Sequence, residues 1–508
     1  MSHSGGAPLS SRWGGLERAR NRFQQFNNFL RTPWYVLIVA VLTALSSLYE
    51  WDLVLYTLYL GFGVYLSIFG EDYLPMVPIA VMGYVSPSRE NNPGRYADSI
   101  FYPENGGILL IGLAVLFIAS AIFRLATDRQ LGGKRFFTEK RKLTGSMVLL
   151  GVAYLLSGIG SAGYLEVARN NLIFALLQFA AIFVMYFFFT AVIRWDRVPK
   201  GYLAWCGLAV GCVVLVQLVE NYTSGRIFLG TSIKRELLAT GWGMHNNIGC
   251  MMAMMMPFGF YLASGKKFGW LFNLVGTALL LGTMLSCSRT SMLVAALAYL
   301  VCGVLLLKNP ASRRSNWWVY LLAAAVAVVI LIFFREKIMS VFERFFSQLG
   351  SASQRDKLIY YGFQEFKGSP VFGTSFYPRL AEYQIWDWAE LESFSSFFPP
   401  RWHSTIVQLA ASCGAVGLLA YGFHRIKTLG LFWKQRSREN TFIGISLAVM
   451  LLAGLLDCHF FNVGPVLFYS VALAFVEKKP MDISEMSNPS GEKRHKTGKK
   501  PIAKEQRT

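Results

Sequence analysis

Ser353-Gln354-Arg355-Asp356-Lys357-Leu358-Ile359-Tyr360-Tyr361, then Gly368-Ser369-Pro370-Val371-Phe372-Gly373, then Arg401-Trp402-His403-Ser404: these strings punctuate a polar stretch, residues 335–403, in an otherwise apolar chain. Long apolar runs stop before it and resume at its end. A polar segment of this length between apolar blocks predicts one large loop outside a bilayer, with the rest of the chain as its membrane frame. Its eight Lys/Arg are matched by eight Asp/Glu, so it lacks the basic bias of loops kept in the cytoplasm.

Composition agrees. Of 508 residues, 54% are hydrophobic and 15% charged, and the mean hydropathy is +0.40; a chain this apolar, in blocks this long, reads as polytopic rather than soluble. The net charge of +20 would suit a nucleic-acid binder if it formed one basic face. It is instead scattered over the N-terminal segment, short inter-helix loops and the C-terminal tail, which is the positive-inside pattern and argues against nucleic acid. The seven cysteines lie in or at the ends of apolar runs without a Cys-x-x-Cys pair, and read as small packing residues. The first apolar run follows a basic leader and precedes no small-residue cleavage site, so it reads as a retained span.

Counting runs near the length a membrane helix needs gives fourteen segments: 34–49, 52–69, 73–86, 106–126, 146–165, 171–193, 201–219, 246–264, 269–287, 291–307, 317–334, 404–423, 441–456 and 463–476. The third is short and carries Pro75 and Pro78, so the count is about 12–14. With the N-terminus inside, every loop then forced inside is net basic, which places both termini in the cytoplasm. The expected fold is an all-α transmembrane bundle. Its parts are a basic cytoplasmic segment 1–33, helices over 34–334, the extracytoplasmic loop 335–403, helices over 404–476, and a Lys-rich tail 477–508 without apolar periodicity, read as disordered.

Few polar residues stand where chemistry could use them. Arg289, in Ser286-Cys287-Ser288-Arg289-Thr290-Ser291, is the single charge between Lys267 and Lys308. An arginine in hydrocarbon costs at least about 2.5 kcal/mol, so it belongs at a membrane edge or beside a partner, and a snorkelling loop arginine fits equally well. Arg355 opens an amphipathic pattern (Leu358, Ile359, Tyr361, Phe363, Phe366), either as an exposed loop residue or as a fork for a phosphate. His403 stands where polar loop meets apolar helix, as a structural histidine or a general base. Asp457, in Leu456-Asp457-Cys458-His459, reads as a turn residue, or as a partner for His403 or an arginine. His245, Asn246 and Asn247 precede a methionine-rich run, as helix caps or as the lining of a polar groove to which Arg401 would also contribute. No metal-ligand spacing and no phosphate-binding glycine loop occurs, so neither a metal nor another cofactor is expected.

In order and placement these strings resemble the superfamily of O-antigen ligases and O-antigen polymerases, bacterial integral membrane glycosyltransferases. The resemblance rests on the Asn-Asn helix start, the Ser-Arg at a helix edge, and the long loop. That loop opens near an Arg followed by aromatics, passes through Gly-Ser-Pro-Val-Phe-Gly, and closes on a His leading a helix with Gly414 and Gly417; the similarity spans roughly residues 200–475. It implies transfer of a glycan from an undecaprenyl diphosphate-linked oligosaccharide to a glycan or lipid-linked acceptor, on the outer face of the inner (cytoplasmic) membrane. It further implies that Arg289 and Arg355 hold the diphosphate, that His403 is the catalytic base, and that Asp457 is an acidic residue of the last outer loop. Attack opposite the diphosphate would invert the anomeric centre without a metal. Two departures bear on loop geometry: members often show Asn-Pro-Asn at His245-Asn246-Asn247, and Gly-x-Gly at Gly373-Thr374-Ser375. A repeat-unit polymerase is expected, with a ligase that delivers finished glycan to a lipid A core or other acceptor as the alternative. A transporter or flippase of lipid-linked glycans is the competing class, and it predicts charges spread through the membrane rather than gathered at one edge.

Overall fold

The computed structural model describes residues 23–91, 99–128, 140–229, 232–233, 237–333, 354–377 and 401–478. The basic leader before Phe23, most of the 335–403 stretch with its aromatics Trp386, Trp388, Phe394, Phe397 and Phe398, and the tail beyond Lys478 lie outside the described residues.

A helix stands at each of the fourteen apolar runs: α1 Pro33–Tyr49, α2 Asp52–Phe69, α3 Met76–Gly83, α4 Gly107–Thr127, α5 Thr144–Leu155, α6 Tyr164–Val192, α7 Tyr202–Thr223, α8 His245–Ala263, α9 Gly269–Leu285, α10 Arg289–Lys308, α11 Pro310–Phe333, α13 Thr405–Lys434, α14 Arg438–Ala453 and α15 Val463–Lys478. One more, α12 Gln354–Gly368, lies in the polar stretch. The protein is an all-α polytopic membrane protein; its described strands are a two-residue hairpin, Phe228–Leu229 against Ser232–Ile233. Six helices (α2, α4, α6, α7, α10, α13) are long and apolar enough to cross a bilayer unaided. The outward face of α4, with Ile108, Ile111, Val115, Ile118, Ile122 and Phe123 exposed, is a continuous apolar surface suited to lipid and not to water.

Two runs shorten for visible reasons. Pro75 caps α3 and Pro78 sits in its first turn, leaving eight residues, about 12 Å of helix against a hydrocarbon core of ~30 Å. The 146–165 run stops at Leu155 because Gly158, Gly160 and Gly163 all take positive φ, after which α6 begins at Tyr164.

The bundle centres on α8. From Ile248 to Ala263 every residue but Tyr261 is buried, including all five methionines, and a helix apolar on all sides belongs in the interior. Its unbranched methionines fill the irregular gaps among α7, α9, α10 and α14. The cysteines are likewise buried or half-buried packing residues.

The feature that positions the site is a break in α13. Gly414 has φ 63° and ψ −156°, a region open essentially to glycine alone. The break strands carbonyls of the first half and amides of the second, which hydrocarbon would not tolerate. Residues 369–375 satisfy them. Ala415 N donates to Pro370 O at 2.8 Å and Val416 N to Val371 O at 3.2 Å, while Thr374 N and Ser375 N donate to Ala411 O (2.8 Å) and Ser412 O (3.3 Å). Phe372 O accepts from Gly158 N at 2.8 Å. The Gly-Ser-Pro-Val-Phe-Gly string is therefore a plug docked in a broken helix. Gly373, at φ 70°, packs so closely on the Ser412 carbonyl that no side chain fits.

Candidate active site

The first half of α13 begins at a built corner. Trp402 N donates to Gln408 Oε1 at 3.0 Å, and Trp402, 1% exposed, is clamped among Leu358, Val407 and Ala411. That burial leaves Trp402 no free face on which a ligand ring could stack. His403 follows at φ 51°, a left-handed turn that lifts the imidazole out of the helix line. Thr405 N donates to Gly454 O (2.8 Å) and Asp457 O (3.1 Å), and Thr405 Oγ1 to Asp457 O (3.2 Å). The first amide of α13 is thus met by the turn that carries Asp457.

His403 Nδ1 lies 3.8 Å from Asp457 Oδ1, with the imidazole 36% and the carboxylate 8% exposed. That separation is an ionic contact, longer than a hydrogen bond. The carboxylate also accepts Cys458 N at 2.7 Å, so it is held in place while it faces the ring. Such a pair stabilises an imidazolium and biases the ring to take up a proton on its other nitrogen. Burial, with help from Asp457 and against Arg401, pushes the Cys458 thiol up to about 12, which removes it as a nucleophile.

Beside this pair runs a second chain of contacts. Arg401 Nη1 donates to Asn462 Oδ1, Asn462 Nδ2 donates to Asn247 Oδ1 at 2.5 Å, and His459 Nδ1 is 3.4 Å from the same amide nitrogen. Asn247 is therefore tied across the bundle and caps nothing; α8 starts at His245 with no side-chain cap. His245 and Asn246 stand half-buried in that same first turn. Arg289 is the first residue of α10, preceded by Ser288 as its cap residue. The turn before it packs on Gly249, where a Cβ would strike Ser286 Oγ and come within 3.0 Å of Ser288 Cβ, so Arg289 enters the structure beside the first turns of α8.

The structure thus pairs His403 with Asp457, links Arg401 to Asn247 through Asn462, and brings the helix starts of Arg289, His245 and Asn246 to the same end of the bundle. Arg355 lies in the first turn of α12, whose Leu358 packs on Trp402; its side chain lies outside the described residues. Asn462, the residue that joins Arg401 to Asn247, was not singled out in the sequence. Nor was Arg425, which stacks on Tyr421, Phe460 and Tyr469 with its carbon 4.3, 4.3 and 4.9 Å from the ring centres and so braces the turn after Asp457. Among the described residues no three His, Cys, Asp or Glu side chains gather as a metal site.

Residues 274–422 match the family model described as O-antigen ligase. That stretch contains Arg289, Arg355, His403 and the plug, and stops short of Asp457. No curated protein matches the chain.

Proposed function

From the premise that this chain carries an O-antigen ligase domain over residues 274–422, and so stands in the ligase and polymerase superfamily, we propose that it is a repeat-unit polymerase. It takes a glycan from an undecaprenyl diphosphate carrier and transfers it to the hydroxyl of a second lipid-linked unit, at the outer face of the cytoplasmic membrane. The observation that carries this reading is the His403–Asp457 pair at 3.8 Å on a structured corner.

In the proposed step His403, with Asp457 behind it, accepts the proton of the acceptor hydroxyl on the nitrogen not facing the carboxylate. The acceptor oxygen forms its bond to the anomeric carbon as the bond to the carrier phosphate breaks. The diphosphate leaves with the electron pair, and attack from the opposite face inverts the configuration. Arg289 and Arg355 offset the charge that grows on the leaving diphosphate, through forked guanidinium contacts in a partly dehydrated groove. The description of the matching family favours a second reading, in which finished glycan goes to a different acceptor such as a lipid A core.

The test is purified protein in lipid nanodiscs, given only the lipid-linked repeat unit without added divalent metal, beside a His403→Ala variant of equal melting temperature. A glycan ladder is expected from the first and not from the second. No ladder from folded protein sinks the polymerase. Adding a lipid A core then decides for the ligase if the glycan is transferred to it, and against lipid A core as the acceptor if it is not.

A further inference from the structure

Gln408 stands in the first half of α13, 2% exposed, with its backbone N donating to Ser404 O at 2.8 Å. A side-chain amide so buried costs stability unless its polar atoms are met, and its partners fix which way it points. The Trp402 amide can only donate, so the carbonyl faces it: Oε1 accepts Trp402 N at 3.0 Å and the Cys458 thiol at 3.6 Å. Nε2 then faces the other way and donates to Ser412 Oγ at 3.0 Å. Ser412 is fully buried, and its carbonyl accepts Ser375 N of the plug at 3.3 Å. The glutamine is thus footed on the sealed break at Gly414 and reaches back to the corner where the helix begins.

What that one oxygen holds is specific. Trp402 immediately precedes His403 and Cys458 immediately follows Asp457, so Oε1 draws together the neighbours of both members of the pair whose side chains lie 3.8 Å apart. His403 has φ 51°, and a residue with a side chain keeps that angle only where its surroundings hold it. On its C-terminal side the hold is Thr405, bound to the Gly454 and Asp457 carbonyls. On its N-terminal side it is Trp402, whose ring is buried among Leu358, Val407 and Ala411 and whose backbone rests on Gln408. Asp457 Oδ1 accepts Cys458 N at 2.7 Å, so a Cys458 released from Gln408 would carry the carboxylate with it. The pair is already beyond hydrogen-bond range, and any further separation weakens what the charge does for the ring.

We propose that Gln408 is a positioning residue for His403 and Asp457, which sets their approach by holding Trp402 and Cys458 on one carbonyl oxygen. The proposal rests on the glycan-transfer reading for what the pair does, and its test has one readout that needs no substrate. Full-length protein in nanodiscs at about pH 6, where a histidine is partly protonated, is treated with diethyl pyrocarbonate, which modifies the unprotonated imidazole. The rate at His403 is followed by mass spectrometry of its peptide. Asp457→Asn removes the charge that favours the protonated ring and should speed the modification about three- to fivefold. Gln408→Met, of similar shape without the hydrogen bonds, should speed it nearly as much, and the double variant no more than Asp457→Asn alone. In the transfer assay Gln408→Met should lower kcat about tenfold with the acceptor KM within about twofold. Gln408→Glu should restore both readouts, because a buried carboxyl stays protonated and then accepts and donates as the amide does. Gln217→Met is the control for mere loss of buried bonds. Gln217, 3% exposed, donates to Ser47 Oγ and Val85 O and accepts from Trp242 Nε1, and its variant should melt lower with both readouts unmoved. If Gln408→Met does not fold, Cys458→Ala, which cuts the tie on the Asp457 side alone, carries the test with about threefold effects in the same directions. Gln408 effects like those of Gln217→Met, or effects that add in full to those of Asp457→Asn, overturn the positioning role even if transfer proceeds. The expected reactivities in a protein that transfers no glycan overturn the reaction and leave the role of Gln408 standing.

Discussion

Gly414→Ala tests whether the break in α13 and its plug hold the catalytic corner. At φ 63° and ψ −156° an L residue costs about 1–3 kcal/mol for the backbone alone. A Cβ there would also run into the Val371 carbonyl and stand 2.7 Å from Gly373 N, and these are backbone atoms that cannot rotate away. The segment must move. The four hydrogen bonds that seal the break, at 2.8 to 3.3 Å, are then weakened or lost, each worth about 1 kcal/mol net. Together the loss is about 4–7 kcal/mol, at the exceptional end for one substitution, and the half-helix that begins just after His403 loses its seat. Gly160→Ala is the control: Gly160 has φ 82° and a Cβ added there would meet nothing within 4 Å, so it carries the left-handed penalty of ~1 kcal/mol and no clash. Thermal unfolding in detergent and the glycan-transfer rate are read on both. Gly414→Ala should melt well below Gly160→Ala and lose transfer; a Gly414→Ala protein that melts and reacts like wild type would refute the account of the plug.

Three further outcomes follow from the contacts at the site. Asp457→Asn keeps the acceptor for Cys458 N and removes the charge behind His403. At 3.8 Å that charge is worth about 4 kcal/mol at an effective dielectric of 20, and about half of that or less with the imidazole a third open to water, so kcat should fall roughly 10- to 30-fold with KM little changed. Asn462→Ala cuts the links to Arg401 and Asn247 together and should lower stability by about 2–3 kcal/mol, read as a drop in melting temperature alongside a raised donor KM. Ser375 has φ 96° and its Oγ accepts Tyr377 N at 3.1 Å; Ser375→Gly relieves the backbone where Ser375→Ala does not, so the glycine variant should be the more stable of the two by about 1–2 kcal/mol.

Helix positions were legible because hydrocarbon imposes a minimum run of apolar residues, and that constraint is local in sequence. The break at Gly414 was not, although Gly414 and Gly417 stood out in the string: a hydropathy count continues straight through 404–423, and the groups that make a break tolerable arrive from 369–375, some forty residues earlier. At Gly373-Thr374-Ser375 the serine takes φ 96°, an angle that a glycine would reach freely.

The candidate site divides along the same line. Arg289, Arg401, His403 and Asp457 drew attention because charge or potential charge at the edge of hydrocarbon is costly and must have a reason. Asn462 carries no such signal. A lone asparagine before an apolar run reads as a helix cap, and only the folded chain shows it spanning Arg401 and Asn247. Neutral amides such as Asn462 are therefore where further site residues of this protein should be sought, beside charges such as Arg425 whose role shows only in the packed turn.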